Sequence, residues 1–155
     1  MEKNTELIEV LNDLIQINND RVTGYDRASK ELSAADVDLK AIFSQMSAQS
    51  RKYTTELSAE VGRLGGEPST STTASGKIYR AWMDVKAVFT GKDRHAVLES
   101  CEYGEDAAQK AYDDALKSDA GINTDVRQMI ANQKSELRTA HDTIKKYRDM
   151  HEIVK

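Results

Sequence analysis

The stretch RKYTTELSAEVGRLGGEP, from Arg51 to Pro68, decides the fold of this 155-residue chain. Its large apolar residues recur at three- and four-residue steps, which is the spacing of one face of an α-helix. They are Tyr53, Leu57, Val61 and Leu64. The pair Gly65-Gly66 predicts a left-handed C-cap, and Pro68 prevents the helix from continuing. The stretch therefore predicts the last turns of a long amphipathic helix that ends near residue 64.

The composition favours one helix-rich domain. Apolar residues make up 39% of the chain and charged residues 31%, with a single proline, and 155 residues suffice for one sizeable core. The net charge of −4 supplies no basic field to attract phosphates, so we expect no nucleic-acid partner. Apolar runs are only a few residues long and the charged faces carry both signs, so no membrane role is expected.

Two further features predict a cytoplasmic location. The N-terminal segment MEKNTELIEV is acidic and polar, so it does not have the basic and then apolar pattern of a signal peptide. Cys101 is the only cysteine, so no intrachain disulfide can form, which fits a reducing compartment.

Helical periodicity predicts four long helices and one long connection. The predicted spans are residues 5–32, 37–64, 94–117 and 125–149, with a short aromatic-rich crossover helix at 76–90 and a frayed tail from Met150. Asp36 is predicted to cap the second helix, and Asn123 or Thr124 the last one. One long crossover is the ferritin-like arrangement, as opposed to up-down-up-down. We predict an all-α, ferritin-like four-helix bundle formed by a single domain over residues 1–155.

Four segments carry a resemblance to a known family. They are LNDLIQINNDRVTGYDRAS at 11–29, ELSAEVGRLGGEP at 56–68, YGEDAAQKAYDDAL at 103–116 and AHDTIKKYRD at 140–149. The chain resembles a set of bacterial four-helix-bundle domains of unassigned function in the ferritin-like superfamily, and the resemblance covers nearly its whole length. It implies the fold but no particular activity.

The resemblance also shows which metal ligands this chain does not have. Ferritin-like dinuclear sites use a Glu on each of two helices and a Glu-x-x-His on each of the other two. Here Ser50 and Tyr53 stand at the pair's place in the second helix, and Asn18 stands at the ligand place in the first. In the fourth helix Glu136 is followed by Thr139. No histidine lies three residues after a glutamate; the three are His95, His141 and His151. We therefore expect no dinuclear centre.

What remains near the middle of the predicted helices is a layer of polar residues on or beside the inward faces. Its members are Asn18, Gln49 or Ser50, Glu105 and Gln133. One hypothesis is a hydrogen-bonded core layer that fixes the helix register. The alternatives are a small polar ligand pocket, a weak metal site with Glu102, Glu105 and Glu136 as candidate ligands, or side chains that face water. No cofactor is expected, with a divalent metal as the alternative.

Two other groups of residues are candidate sites. Glu99, Glu102 and Asp106 share one face of the third helix, which is typical of a solvated surface and less often of a site for a hard cation. Cys101 lies on an apolar face and is interpreted as a core residue, because His141 is its only candidate catalytic partner.

The sequence thus favours a non-enzymatic protein, an interaction module or a stress-associated structural module, with a homodimer as one possible form. The alternative is a protein that binds a metal or a small ligand in its central polar layer.

Overall fold

A computed structural model describes residues 2–32, 36–70, 94–118 and 121–154. They form four helices, which are α1 (Glu2–Glu31), α2 (Val37–Arg63), α3 (Arg94–Lys117) and α4 (Thr124–Val154). These residues include no strand, which confirms the predicted all-α class. The crossover helix predicted at 76–90 and its aromatic side chains lie outside the described residues.

The predicted helix bounds need correction at both ends of the chain. Helix α1 begins at Glu2, earlier than the predicted residue 5. Helix α4 continues to Val154, so the prediction of a frayed tail from Met150 was wrong. The tail contains neither Gly nor Pro, so nothing in its sequence ends the helix.

The end of α2 is a Schellman motif. Gly65 has a φ of +83°, in the left-handed region. The Gly66 N–H donates to the Val61 carbonyl at 3.0 Å, and the Gly65 N–H donates to the Gly62 carbonyl at 3.0 Å. These two bonds satisfy carbonyl groups that a helix end otherwise leaves without partners. A Cβ at Gly66 would lie 2.9 Å from side-chain carbons of Ile8, so this glycine also permits close contact with α1.

We predict that Gly65→Ala lowers the free energy of unfolding by about 1–2 kcal/mol, because an L-residue is strained at positive φ. Gly62→Ala is the matched control, since Gly62 lies within α2 with nothing within 4 Å of an added Cβ. That change should stabilise the protein by about 0.5–1 kcal/mol. Urea denaturation measures both variants, and equal effects of the two substitutions would contradict the left-handed cap.

The helix starts differ in how they are capped. The Val126 N–H donates to Asn123 Oδ1 at 2.9 Å, so Asn123 is the N-cap of α4. Asp36 occupies the N-cap position of α2, as predicted, but its side chain makes no capping hydrogen bond.

The topology follows from the direction of each helix. Helices α1 and α2 are joined by a short connection and pack side by side as an antiparallel hairpin. Asn18 of α1 contacts Tyr112 of α3, whereas Arg21 contacts Glu105, so residue numbers fall along α3 as they rise along α1. Helix α3 is therefore antiparallel to α1 and runs in the same direction as α2. The end of α2 and the start of α3 therefore lie at opposite ends of the bundle, and a helix the length of α2 is about 40 Å long.

The core consists of two apolar clusters separated by polar side chains. The first cluster contains Leu7, Leu11, Leu14, Ile15, Ile17, Tyr53, Leu57, Val61, Ala108, Tyr112, Ala115, Val126, Ile130 and Leu137. The second contains Tyr25, Ala28, Leu32, Leu39, Phe43, Met46, Val97, Leu98, Cys101, Ala140 and Ile144. In the described residues, no helix has an apolar stretch long enough to cross a membrane.

Candidate functional site

A buried ion pair lies between the two apolar clusters. Arg21 of α1 is 1% exposed and Glu105 of α3 is fully buried, and Arg21 Nε donates to Glu105 Oε1 at 2.6 Å. Arg21 also donates through Nη1 to Ser50 Oγ at 2.8 Å and to the Met46 carbonyl at 3.1 Å. Tyr25 donates its hydroxyl proton to Glu105 Oε1 at 2.7 Å, and its ring centroid lies 5.3 Å from the Arg21 guanidinium carbon.

Charge pairing holds this guanidinium in its charged form. Burial lowers the pKa of Arg21, but the Glu105 carboxylate, together with Tyr25 and Tyr53, more than offsets this effect, and the pKa is raised. Removing two charges from water is costly, and the cost is recovered only when their hydrogen bonds are well formed. Glu105 Oε2 is buried without a hydrogen-bond partner among the described residues, so Oε1 carries the polar contacts of this carboxylate.

A directed chain of hydrogen bonds leads from Arg21 across the bundle. Ser50 accepts from Arg21 and donates to Asn18 Oδ1 at 2.9 Å, and Asn18 Nδ2 donates to the Tyr112 hydroxyl at 2.9 Å. Tyr112 donates in turn to Gln133 Oε1 at 2.6 Å. With Glu105 of α3 at its other end, this series of hydrogen bonds joins all four helices. Each of these side chains is buried, so the network fixes how the four helices align.

The network reaches a groove between α2 and α4. Gln133 Nε2 donates to Glu56 Oε1 at 3.2 Å, and the Tyr53 hydroxyl donates to Glu136 Oε1 at 2.8 Å. The groove has a volume of about 600 Å³. Its lining is mostly polar and consists of Lys52, Glu56, Asp125, Gln128, Met129, Asn132, Gln133, Ser135 and Glu136.

The structure brings four residues of the predicted polar layer into one network, namely Asn18, Ser50, Glu105 and Gln133. Gln49 is only half-buried, and its Oε1 has no hydrogen-bond partner in the described part of the chain. Of the two alternatives in the second helix, Ser50 is therefore the member of the network. Whether the layer binds a ligand stays a prediction.

Sequence reasoning missed Arg21, the residue that organises the layer. A charged residue on a helix is usually solvated, so the predicted polar layer does not include Arg21. Two signals point to Arg21. It lies three residues after Asn18 and four before Tyr25, which is the spacing of one helix face. An inward Glu105 also requires a cation nearby, because a buried carboxylate is costly without one.

The three weak metal-ligand candidates have separate partners. Glu102 pairs with Arg148 on the outer seam between α3 and α4, and Glu105 pairs with Arg21 in the core. Glu136 is exposed and accepts from Tyr53. The structure therefore does not gather these three carboxylates around one ion.

Cys101 and the buried tyrosines have pKa values that favour their neutral forms. Burial and the Glu105 carboxylate raise the pKa of Cys101 well above its usual value, so the thiol is protonated and a poor nucleophile. This agrees with its interpretation as a core residue. Burial likewise raises the pKa values of Tyr25, Tyr53 and Tyr112.

Two antiparallel hairpins joined by one long crossover define a ferritin-like four-helix bundle. The chain belongs to the family described as Domain of unknown function (DUF2383), whose model matches residues 6–118. The ferritin-like, diiron-carboxylate protein from Bacillus anthracis str. Ames is a structural neighbour, with a TM-score of 0.70 and 16% sequence identity. The similarity covers 97% of this chain and 98% of that one, and at this identity it shows the fold alone. Among curated proteins, none matches the chain.

The central residues do not fit the dinuclear metal centre found in other ferritin-like bundles. Such a centre takes carboxylates from all four helices and imidazoles from two. Among the hydrogen-bonded residues named above, Glu105 is the one buried carboxylate in contact with Arg21, and the other buried members are hydroxyl or amide groups. Asp20 of α1 is also buried, but no imidazole accompanies either carboxylate in the buried set of described residues. Arg21 carries a permanent positive charge 2.6 Å from the Glu105 carboxylate, so it would repel a divalent cation there.

We predict that Arg21→Met lowers the free energy of unfolding by about 3–5 kcal/mol, because it leaves a buried carboxylate without its cation. The double variant Arg21→Met/Glu105→Met should recover most of this loss. Arg51→Met is the control. Its ion pair with Asp26, at 2.5 Å, lies between side chains that are 60% and 40% exposed, so its loss should cost less than about 1 kcal/mol. Equal losses for Arg21→Met and Arg51→Met in urea denaturation would contradict a dominant buried pair.

The buried tyrosines predict a loss of stability in alkali. Because their pKa values are raised on folding, the folded state holds these protons more tightly than the unfolded state. Their stabilisation is complete below the unfolded tyrosine pKa of about 10 and is lost as the pH rises above it. Alkaline titration should show their tyrosinate absorbance appearing together with the loss of helical circular dichroism. Tyr112→Phe should remove part of that absorbance step, and tyrosinate formation by all three phenols in a fully helical protein would contradict the prediction.

Proposed function

We propose that this protein is a non-enzymatic helical-bundle module that has the ferritin-like frame but no reactive centre in its core. The observation that supports this most strongly is the Arg21–Glu105 pair at the centre of the bundle. A guanidinium is redox-inert, and together with Tyr25 it occupies Oε1 of Glu105, one of the two oxygens that a metal could use. The surrounding hydroxyl and amide groups extend the same network, so the central layer serves to align the helices.

The module acts through its outer surface, as a homodimer or with another protein, in the bacterial cytoplasm. A role as a structural protein associated with stress is part of this proposal. Its support is that the buried polar groups are used in fixing the helices and that the net charge of −4 gives no bias toward nucleic acid. Analytical ultracentrifugation of the full chain distinguishes a homodimer from a monomer that associates with another protein.

The absence of a reactive core is tested by comparing wild type with Glu105→Gln, which keeps the shape of the side chain but removes its charge. Both proteins are exposed to Fe²⁺ and Mn²⁺, dialysed and measured for metal content by mass spectrometry. We expect equal content and equal rates of aerobic Fe²⁺ oxidation, together with a lower free energy of unfolding for Glu105→Gln. About two metal ions per chain that are lost in Glu105→Gln would overturn the proposal, because dinuclear chemistry would then depend on Glu105.

A second candidate function is the binding of a small polar ligand in the groove between α2 and α4. The specific observation is that Gln133 of the buried network reaches Glu56 in the wall of this groove. Acidic side chains outnumber Lys52 in the lining, which favours a ligand that carries amino groups. NMR titration with a short aliphatic diamine tests this candidate. Shifts confined to the groove and abolished in Glu136→Gln would support it, and no shifts would exclude it for that ligand class.

A further inference from the structure

The seam between α3 and α4 holds a second group of ionisable side chains, outside the central layer. Glu102 and Asp106 lie four residues apart on α3, and His141 faces them from α4. His141 Nε2 is 2.7 Å from Asp106 Oδ1 and 3.9 Å from Glu102 Oε1. One ligand atom from each of the three residues lies within 4.8 Å of the other two. Within the described residues, this is the one group of acidic, His or Cys side chains so arranged.

We propose that Glu102, Asp106 and His141 bind a single divalent transition-metal ion, with Zn²⁺ as the ion of best fit. Bonds of about 2.0–2.2 Å to one ion place its ligand atoms roughly 3–3.5 Å apart. The observed separations lie on both sides of that range, so small side-chain rotations bring the three atoms to one ion. The carboxylate pair comes from one helix and the imidazole from another, and the bundle already packs these helices together.

The second ring nitrogen of His141 supports this assignment. Nδ1 lies 3.2 Å from Asp142 Oδ1, so an Nδ1–H can donate to that carboxylate. Without a metal, the 2.7 Å contact between Nε2 and Asp106 Oδ1 requires a hydrogen on Nε2. When an ion takes the place of that hydrogen, the contact of Nδ1–H with Asp142 keeps the Nε2 lone pair directed at the ion. Histidines that bind metals usually have such a carboxylate on the other nitrogen. The ring is 15% exposed, so its orientation is restricted by packing.

The side chains that face the imidazole are mostly carboxylates, and the guanidinium of Arg148 pairs with one of them. Three carboxylates, those of Glu102, Asp106 and Asp142, lie within 4 Å of its nitrogens. Arg148 contacts Glu102 through Oε2, whereas the other oxygen, Oε1, is the one nearer His141. Oε1 of Glu102 is therefore available to an ion that binds Nε2.

The donor set decides the class of ion. One imidazole nitrogen with two carboxylate oxygens suits Zn²⁺, Fe²⁺ or Mn²⁺, and among these Zn²⁺ binds such groups most tightly. Mg²⁺ and Ca²⁺ prefer oxygen ligands alone. Asp106 is 62% exposed, so water can complete the coordination. The site is distinct from the ferritin-like centre, because Glu105 turns inward to Arg21.

Isothermal titration calorimetry of the full chain with Zn²⁺ tests the proposal. We expect one ion per chain in wild type and in Asp114→Asn, the matched control that removes an exposed carboxylate of α3 elsewhere. His141→Ala and Asp106→Asn should each weaken binding by more than tenfold, and Asp142→Asn by about tenfold. Circular dichroism verifies that each variant is folded. No Zn²⁺ binding by wild type, or equal binding by His141→Ala and Asp114→Asn, would overturn the proposal.

A variant that should bind more tightly makes the test sharper. Arg148→Met removes the cation that pairs with Glu102 and so frees both carboxylate oxygens. We expect Zn²⁺ affinity to rise several-fold, a change that a purely structural ion cluster would not produce. Unchanged or weaker binding by Arg148→Met would contradict the assignment of Glu102 as a ligand. Glu105→Gln should bind Zn²⁺ as wild type does, which separates this site from the central layer.

Discussion

The bundle depends on one buried charge, the guanidinium of Arg21. It is placed where water cannot reach it, so its donors must be satisfied by protein groups from neighbouring helices. Glu105 of α3 neutralises it, and Ser50 of α2 receives a second hydrogen bond from it. Any sliding of one helix against another breaks these contacts, which apolar packing alone would tolerate better. The pair therefore selects one alignment of the helices, at the cost of burying two charges.

The same constraint accounts for the relation to other ferritin-like proteins. In a dinuclear member, metal cations balance inward carboxylates near the middle of the bundle. Here a side-chain cation balances the buried carboxylate of Glu105, and Tyr112 and Gln133 continue the network into α4. The ferritin-like fold is thus compatible with two ways of compensating buried carboxylates, by metal cations or by a side-chain cation. Family membership and fold are established by the match over residues 6–118 and by the shared architecture, whereas the proposed role rests on the chemistry of this layer.

Much of the fold could be predicted because it is encoded locally. Gly65-Gly66 and Asn123 mark helix ends through their own backbone and side-chain preferences, and helical spacing turned Ser50 and Glu105 inward. The partners of these residues could not be predicted, since Arg21 and Glu105 are 84 positions apart and no local pattern links them. The seam site was missed for the same reason. Asp106 and His141 come into contact only when α3 and α4 pack together. In the sequence alone, carboxylates that share one helix face are typical of a solvated surface.

The most direct test is a crystal structure of the protein grown with Mn²⁺, with the ion located by anomalous scattering. We predict no anomalous peak beside Glu105, and we expect Arg21 Nε within hydrogen-bond distance of that carboxylate. A peak within coordination distance of Glu105, with Arg21 displaced from the core, would contradict this prediction. In that case the guanidinium would be only a substitute for the metal, and the dinuclear position of the fold would still be in use.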